Sequence, residues 1–237
     1  MIVFFKGDRQ GAPLEKNTPI FTPTGASAVV TMSPAPSPTR TLPTGPIHIK
    51  VPFTPQAPYA NWDETHKEAC EEASALMVGR YFRGDRAQTI DSADSDQAIL
   101  EMVEWQATNF GGHFDLTLIQ QQQLIAAFYP DLETEIVPAS APRIVEDLQK
   151  GNLIVIPAAG RLLGNPYFRV PGPIYHMLVI IGVRGTKFIT NDPGTKRGKD
   201  YLYDQKTLLG AVHEWTGDPA TINHGRSVML VIGEGDE

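Results

Sequence analysis

His176-Met-Leu-Val-Ile-Ile-Gly-Val183, then Arg184-Gly-Thr186, then Lys187-Phe-Ile-Thr190 are two apolar, β-branched runs split by turn-forming residues. They predict an antiparallel hairpin inside a sheet. Leu153-Ile-Val-Ile156 and Ser227-Val-Met-Leu-Val-Ile232 have the same character and add strands. The hairpin has a chemical consequence. His176 opens the first run directly after a Gly/Pro loop, Pro171-Gly-Pro-Ile-Tyr175, and the second run ends in Thr190-Asn-Asp-Pro-Gly-Thr195. Folding back returns Asn191 and Asp192 beside His176, where a carboxylate or an amide can hold one imidazole tautomer.

Upstream, the period changes from strand-like to helical. Over residues 66–82, Cys70, Ala73, Met77 and Tyr81 recur on one helical face. A second helix is predicted over 96–109, stopped by Gly111-Gly112. Thr117-Leu-Ile-Gln120 reads as a capping box opening a third, which runs to Phe128 with its glutamines on a solvated face. A short helix over 142–150 ends at Gly151, and His48-Ile-Lys-Val-Pro-Phe53 alternates like a half-buried strand. Helices first and strands later predict an α+β domain over 47–237, its N-terminal helical part packed on a C-terminal antiparallel sheet. Residues 1–46, rich in Pro, Thr and Ser, read as a flexible linker. Such an arm fits an exported, surface-tethered protein or a cytosolic tail equally.

A net charge of -7 argues against a general affinity for nucleic acid or anionic lipid. The densest basic cluster, Lys196, Arg197 and Lys199, falls in a Gly-containing turn and reads as a solvated one. No run approaches the ~18 apolar residues of a membrane span, so none is expected in this chain. Met1-Ile-Val-Phe-Phe5 is too short for a signal-peptide core and would be an anchor remnant only if the true start lies upstream. The single cysteine excludes an intrachain disulfide framework and any cysteine-based zinc site. Asp63, Glu64 and His66 are too close together in one loop to converge on an ion, so no metal and no cofactor is implied.

A thiol hydrolase needs a thiolate, a base, a group orienting the base and donors for the oxyanion. Cys70 lies near a helix start, where exposed amides and the positive dipole end favour a thiolate. Glu71 and Glu72 suit a helix N-terminus but would oppose ionisation if aimed at the sulfur, and helical geometry can point them elsewhere. Of the six histidines, His176 has the strand-mouth position from which a rigid base can face a cleft. The loop over 159–173, with Arg161, Asn165, Tyr167 and Phe168, precedes it and is expected to wall that cleft; Trp62 is expected to pack.

Taken in order, Val51-Pro-Phe-Thr-Pro-Gln-Ala-Pro58, Asn61-Trp-Asp63, Glu68-Ala-Cys-Glu-Glu-Ala-Ser74, Tyr175-His-Met-Leu-Val179 and Asn191-Asp-Pro-Gly194 resemble the C39-like peptidases. These are a papain-like group related to the leader-cleaving peptidase domains of bacteriocin exporters. The resemblance implies a papain-like fold and a cysteine peptidase acting on a peptide or protein substrate. It gives Cys70 as nucleophile, His176 as base and acid, Asp192 as orienting group and Gln56 as an oxyanion donor. Asn191 is the alternative orienter, and Gln56 the alternative of a loop residue capping backbone groups. The chain departs from many members by carrying Glu71-Glu72 where they place Gly and Pro. Two other functions suit the same fold: a non-catalytic peptide-binding module, and a cell-wall amidase or transpeptidase with the same dyad.

Overall fold

The computed structural model describes residues 45–235. The linker expected over 1–46 lies outside them apart from Gly45 and Pro46. The chain runs β1 (Ile47–His48), a 3-10 turn (His66–Glu68), α1 (Cys70–Phe82), α2 (Ser92–Phe110), α3 (Leu118–Phe128), β2 (Leu132–Pro138) and α4 (Ala141–Gln149). Then come β3 (Leu153–Ala159), β4 (Tyr175–Arg184), β5 (Lys187–Asn191), β6 (Tyr201–Asp204), α5 (Gln205–Ala211) and β7 (Val228–Glu234). The sheet has the order β2-β7-β3-β4-β5-β6, antiparallel throughout, with β1 added to β4 at Val183 and Gly182. This is the α+β architecture that the order of helices and strands predicts. Among the described residues no helix is long and apolar enough to cross a membrane.

The sheet is buried on both faces, which explains why its central strands read as unbroken apolar runs. Along β4, Tyr175, Met177, Val179 and Ile181 join one core with α1, α2 and α3, while Leu178 and Ile180 join the other with α4 and α5. Strand alternation alone sorts them. Gly79 of α1 packs against the Tyr129 ring at the end of α3, where an added Cβ would stand 2.1 Å from it.

Local chemistry sets most boundaries. The Asp91 carboxylate accepts from the amides of Ala93 and Asp94, so α2 begins earlier than residue 96. Gly111, at φ 83°, ends it in the left-handed region. Both bonds of the Thr117–Gln120 capping box form. The strand expected over 48–53 forms a ladder only at Ile47 and His48; Pro52 has no amide proton for one, and Phe53 makes an isolated bridge with Thr89 instead. The helix expected over 66–82 is interrupted at Ala69 (φ -101°, ψ 28°), which makes Cys70 the first residue of α1. Gln121 corrects the solvated glutamine face: it is fully buried, and its amide donates to the Glu71 carbonyl. Trp62 is 39 % exposed and is not a core residue.

Candidate active site

The β4–β5 hairpin turns through Gly185, pairing Arg184 with Lys187 and Val179 with Asn191. One residue beyond β5, Asp192 Oδ1 lies 2.7 Å from His176 Nε2, and both side chains are buried. Asp192 also accepts from the Gly194 amide on Oδ1 (2.9 Å), and on Oδ2 from Tyr203 Oη (2.6 Å) and Asn165 Nδ2 (3.0 Å). Burial pushes its carboxyl up, but His176, Tyr203 and the Gly194 amide more than offset this and hold it below the ordinary aspartate value. An ionised Asp192 takes the proton of Nε2 and leaves Nδ1 as the basic nitrogen of the ring.

The ring is fixed from its other sides as well. Phe168 meets it edge-on at 5.3 Å, and a Cβ on Gly194 would stand 2.8 Å from His176 Cε1. Phe168 and Asn165 both come from the loop after β3, which also lines a cavity of about 130 Å³ with Gly160, Arg161, Val170 and Gly172. Asn191 does not reach the ring. Its amide donates to the Val51 carbonyl at 3.2 Å and its oxygen accepts from the Asp200 amide at 3.2 Å, so it braces the loop instead.

Cys70 stands at the first position of α1, whose N-terminus has no side-chain cap, so its leading amides are not occupied by one. Its surroundings differ from expectation. The thiol donates to Glu71 Oε2 at 2.9 Å, so Glu71 points at the sulfur rather than away. Glu72 does turn away, to Gln106 and to His113 (3.2 Å). Burial pushes the Cys70 thiol well up, and Glu71, Asp115 and Glu72 push it further. Among the described residues no hydrogen bond joins Cys70 to His176. The alternation of β4 places Tyr175 in the core that holds Cys70, with His176 starting from the opposite face at the sheet's end. Asp115 lies within electrostatic reach of both: its carboxyl is pushed up to about 7 by burial and Glu68, against the pull of His113 and His176.

Gln56 is buried and close to this centre, because its amide donates to the Pro193 carbonyl beside Asp192 at 2.9 Å. Its side-chain Nε2 donates to the carbonyls of His66 and Lys67, both at 2.9 Å, which engages both of its protons just ahead of Cys70. That is the geometry of a brace on the loop leading into Cys70. His66 is a second brace, its ring bridging Asp63 (2.8 Å) and Asp96 (3.0 Å). Tyr203 and Asn165 are parts of the site that the sequence did not assign, and only Asn165 carried a signal, by lying in the loop before the His176 strand; Glu71 was flagged by its place next to Cys70, but not its aim.

The sequence matches the model of the Peptidase_C39 like family over residues 48–218. No curated protein matches it. Among solved structures, a protein described as a C39-like peptidase from Bacillus anthracis superposes with a TM-score of 0.54 at 14% identity, covering 81% of this chain and 100% of that one. The peptidase domain of Streptococcus ComA, described as a bi-functional ABC transporter involved in a quorum-sensing pathway, gives a TM-score of 0.43 at 17% identity, covering 80% and 100%. The matched span contains the helix that Cys70 begins, the His176 strand and the Asp192 turn, and the chain belongs to the Peptidase_C39 like family.

Proposed function

We propose that the protein is a cysteine peptidase that cleaves a peptide or isopeptide bond through a thioester at Cys70. The observation that carries this is the buried His176–Asp192 pair, 2.7 Å apart and held by Tyr203, Asn165 and Gly194, in a chain of a peptidase-like family. A histidine fixed this way is built to exchange a proton at Nδ1. In the reaction, the Cys70 proton moves to His176 Nδ1 and the sulfur attacks the substrate carbonyl. The oxyanion is met by the free amides at the start of α1, joined by the Gln56 amide once it exchanges one carbonyl for the substrate. His176 protonates the departing amine. Water, deprotonated by His176, then opens the thioester and restores the thiol.

A second reading is a peptide-binding module on the same fold, and the Cys70–Glu71 bond is what favours it, since it keeps the sulfur protonated. An amidase or transpeptidase shares the first half-reaction and differs in acyl donor or acceptor. The test is mass spectrometry of a peptide mixture and of cell-wall fragments incubated with wild type, Cys70→Ala and His176→Ala. Cleavage lost in both variants is expected. Cleavage that survives Cys70→Ala overturns the proposal, and peptide binding by wild type without any cleavage transfers the case to the binding module.

A further inference from the structure

Asp192 is wholly buried, yet among the described residues no lysine or arginine pairs with it, and His176 is its one ion-pair partner. The other titratable groups that face it are the neutral hydroxyls of Tyr203 and Tyr201. Neutral donors must therefore do much of the work of holding the anion, and their arrangement has a direction. The Tyr167 amide donates to Asn165 Oδ1 at 3.0 Å, which fixes the flip of that side chain and turns its NH₂ inward. Asn165 Nδ2 then donates to Tyr203 Oη at 2.8 Å and to Asp192 Oδ2 at 3.0 Å. A phenol has one proton. With Asn165 filling a lone pair of Oη, that proton goes to Asp192 Oδ2 at 2.6 Å. Burial and the Asp192 charge push the Tyr203 hydroxyl far above its ordinary range, so it stays a donor.

We propose that Tyr203 and Asn165 are positioning residues that act as one donor clamp, keeping the buried Asp192 ionised with Oδ2 engaged so that Oδ1 holds the His176 ring for proton exchange. This rests on His176 being the base of the proposed reaction. The clamp itself makes and breaks no covalent bond. Its two members are not equivalent: Tyr203 supplies the short bond to the anion, while Asn165 directs that bond and ties it to the loop after β3. A buried carboxylate that loses a donor is penalised more as an anion than as an acid. Loss of the Tyr203 hydroxyl therefore makes Asp192 easier to protonate, and a protonated Asp192 no longer fixes the proton on His176 Nε2.

The experiment is a double-mutant cycle of thermal melts across acid and neutral pH on wild type, Tyr203→Phe, Asp192→Asn and the Tyr203→Phe/Asp192→Asn double variant, with Asn165→Ala as a second, independent break. A Tyr203 that only packs lowers Tm equally at every pH and in either background. A clamp on the anion does not. The carboxyl of Asp192 is held below its ordinary value, so what it contributes is present above about pH 4 and lost as pH falls through the folded pKa. The Tyr203→Phe penalty is therefore expected to be full at neutral pH, to narrow as the pH is lowered past about 4, and to lose that pH dependence in the Asp192→Asn background. Asn165→Ala should follow the same pattern, and it decides by the same criterion if Tyr203→Phe does not fold. A penalty that is flat across pH, or equally pH-dependent without Asp192, overturns the proposal. On a peptide that wild type cleaves, kcat of Tyr203→Phe should fall on the order of tenfold or more with KM little changed. The melts need neither Cys70 nor a substrate, so the two ideas fail separately. The cycle pattern without any cleavage by wild type keeps the clamp on Asp192 and removes the peptidase reading. Cleavage with an unchanged kcat in Tyr203→Phe keeps that reading and overturns the positioning role.

Discussion

Asp192→Asn removes one charge and changes almost no volume, so it isolates what the carboxylate does. Its two oxygens together accept four donors: His176 Nε2 and the Gly194 amide on Oδ1, Tyr203 Oη and Asn165 Nδ2 on Oδ2. A carboxylate is the one side chain that can accept all four. An asparagine must turn its NH₂ toward one pair. Turned to the first pair it opposes the Gly194 amide and forces His176 to give up its Nε2 proton; turned to the second it opposes Asn165. At least one buried donor is then unpaired, which costs about 1–3 kcal/mol, and the charge-assisted bonds weaken as well. A loss of roughly 2–5 kcal/mol follows, or ~5–15 °C in Tm for a domain of this size. Turnover should fall on the order of 10³-fold or more, because a ring protonated on Nδ1 cannot act as base there. The stability effect also has a pH signature. The carboxyl of Asp192 is held below its ordinary value, so its contribution is complete above about pH 4 and is lost as the pH falls through the folded pKa. Thermal melts of both proteins at pH 7 and pH 3, with peptide turnover at pH 7, make the assay. A variant melting within ~2 °C of wild type at pH 7 with undiminished turnover would refute both the packing and the role argued for Asp192.

Gln56→Ala should lower Tm by a few degrees, since it strips the His66 and Lys67 carbonyls of a donor, and should lower turnover by on the order of 10²-fold if the amide also meets the oxyanion; a Tm drop with unchanged turnover makes Gln56 a brace only. Gly194→Ala pushes a methyl to 2.8 Å from both His176 Cε1 and Phe168 Cε1, so turnover should fall about 10²-fold as the ring is displaced, and wild-type kinetics would show that the turn yields. Asp115 is held protonated by burial, with its carboxyl pushed up to about 7, so its cost to the folded state grows as pH rises from about 4 to 7. Asp115→Asn should accordingly raise Tm at pH 8 and leave it nearly unchanged at pH 4; superimposable Tm–pH curves would contradict this.

What the sequence disclosed and what it hid follow from range. The β4–β5 hairpin was legible because three turn residues join two buried runs, and folding back sets Asn191 opposite Val179, which returns Asp192 to the end of β4 that holds His176. The Thr117–Gln120 cap was legible for the same reason, being complete within four residues. Choosing Asp192 over Asn191 was not, because it depends on Val51 and Asp200 claiming the asparagine and on Tyr203 and Asn165 claiming the aspartate. The edge strands β2 and β6 were missed too. β2 alternates Glu133 and Glu135 with half-buried neighbours and pairs with β7 alone, so it lacks the apolar run that marked the centre of the sheet.

Cys70 shows how a correct local inference can lead to the wrong balance. A helix N-terminus stabilises an anion by about 0.3–1 kcal/mol, and ~2 kcal/mol where partly buried. Burial of the sulfur acts in the opposite sense and pushes the thiol well up, and Glu71, whose Oε2 lies 2.9 Å away, adds to it. The dipole argument was legible in the position of Cys70 after a Pro-rich loop; the carboxylate was not, because its aim is set by the Leu116 amide, forty-five positions further along the chain. The ionisation of the sulfur is therefore set less by the helix it begins than by its burial beside Glu71.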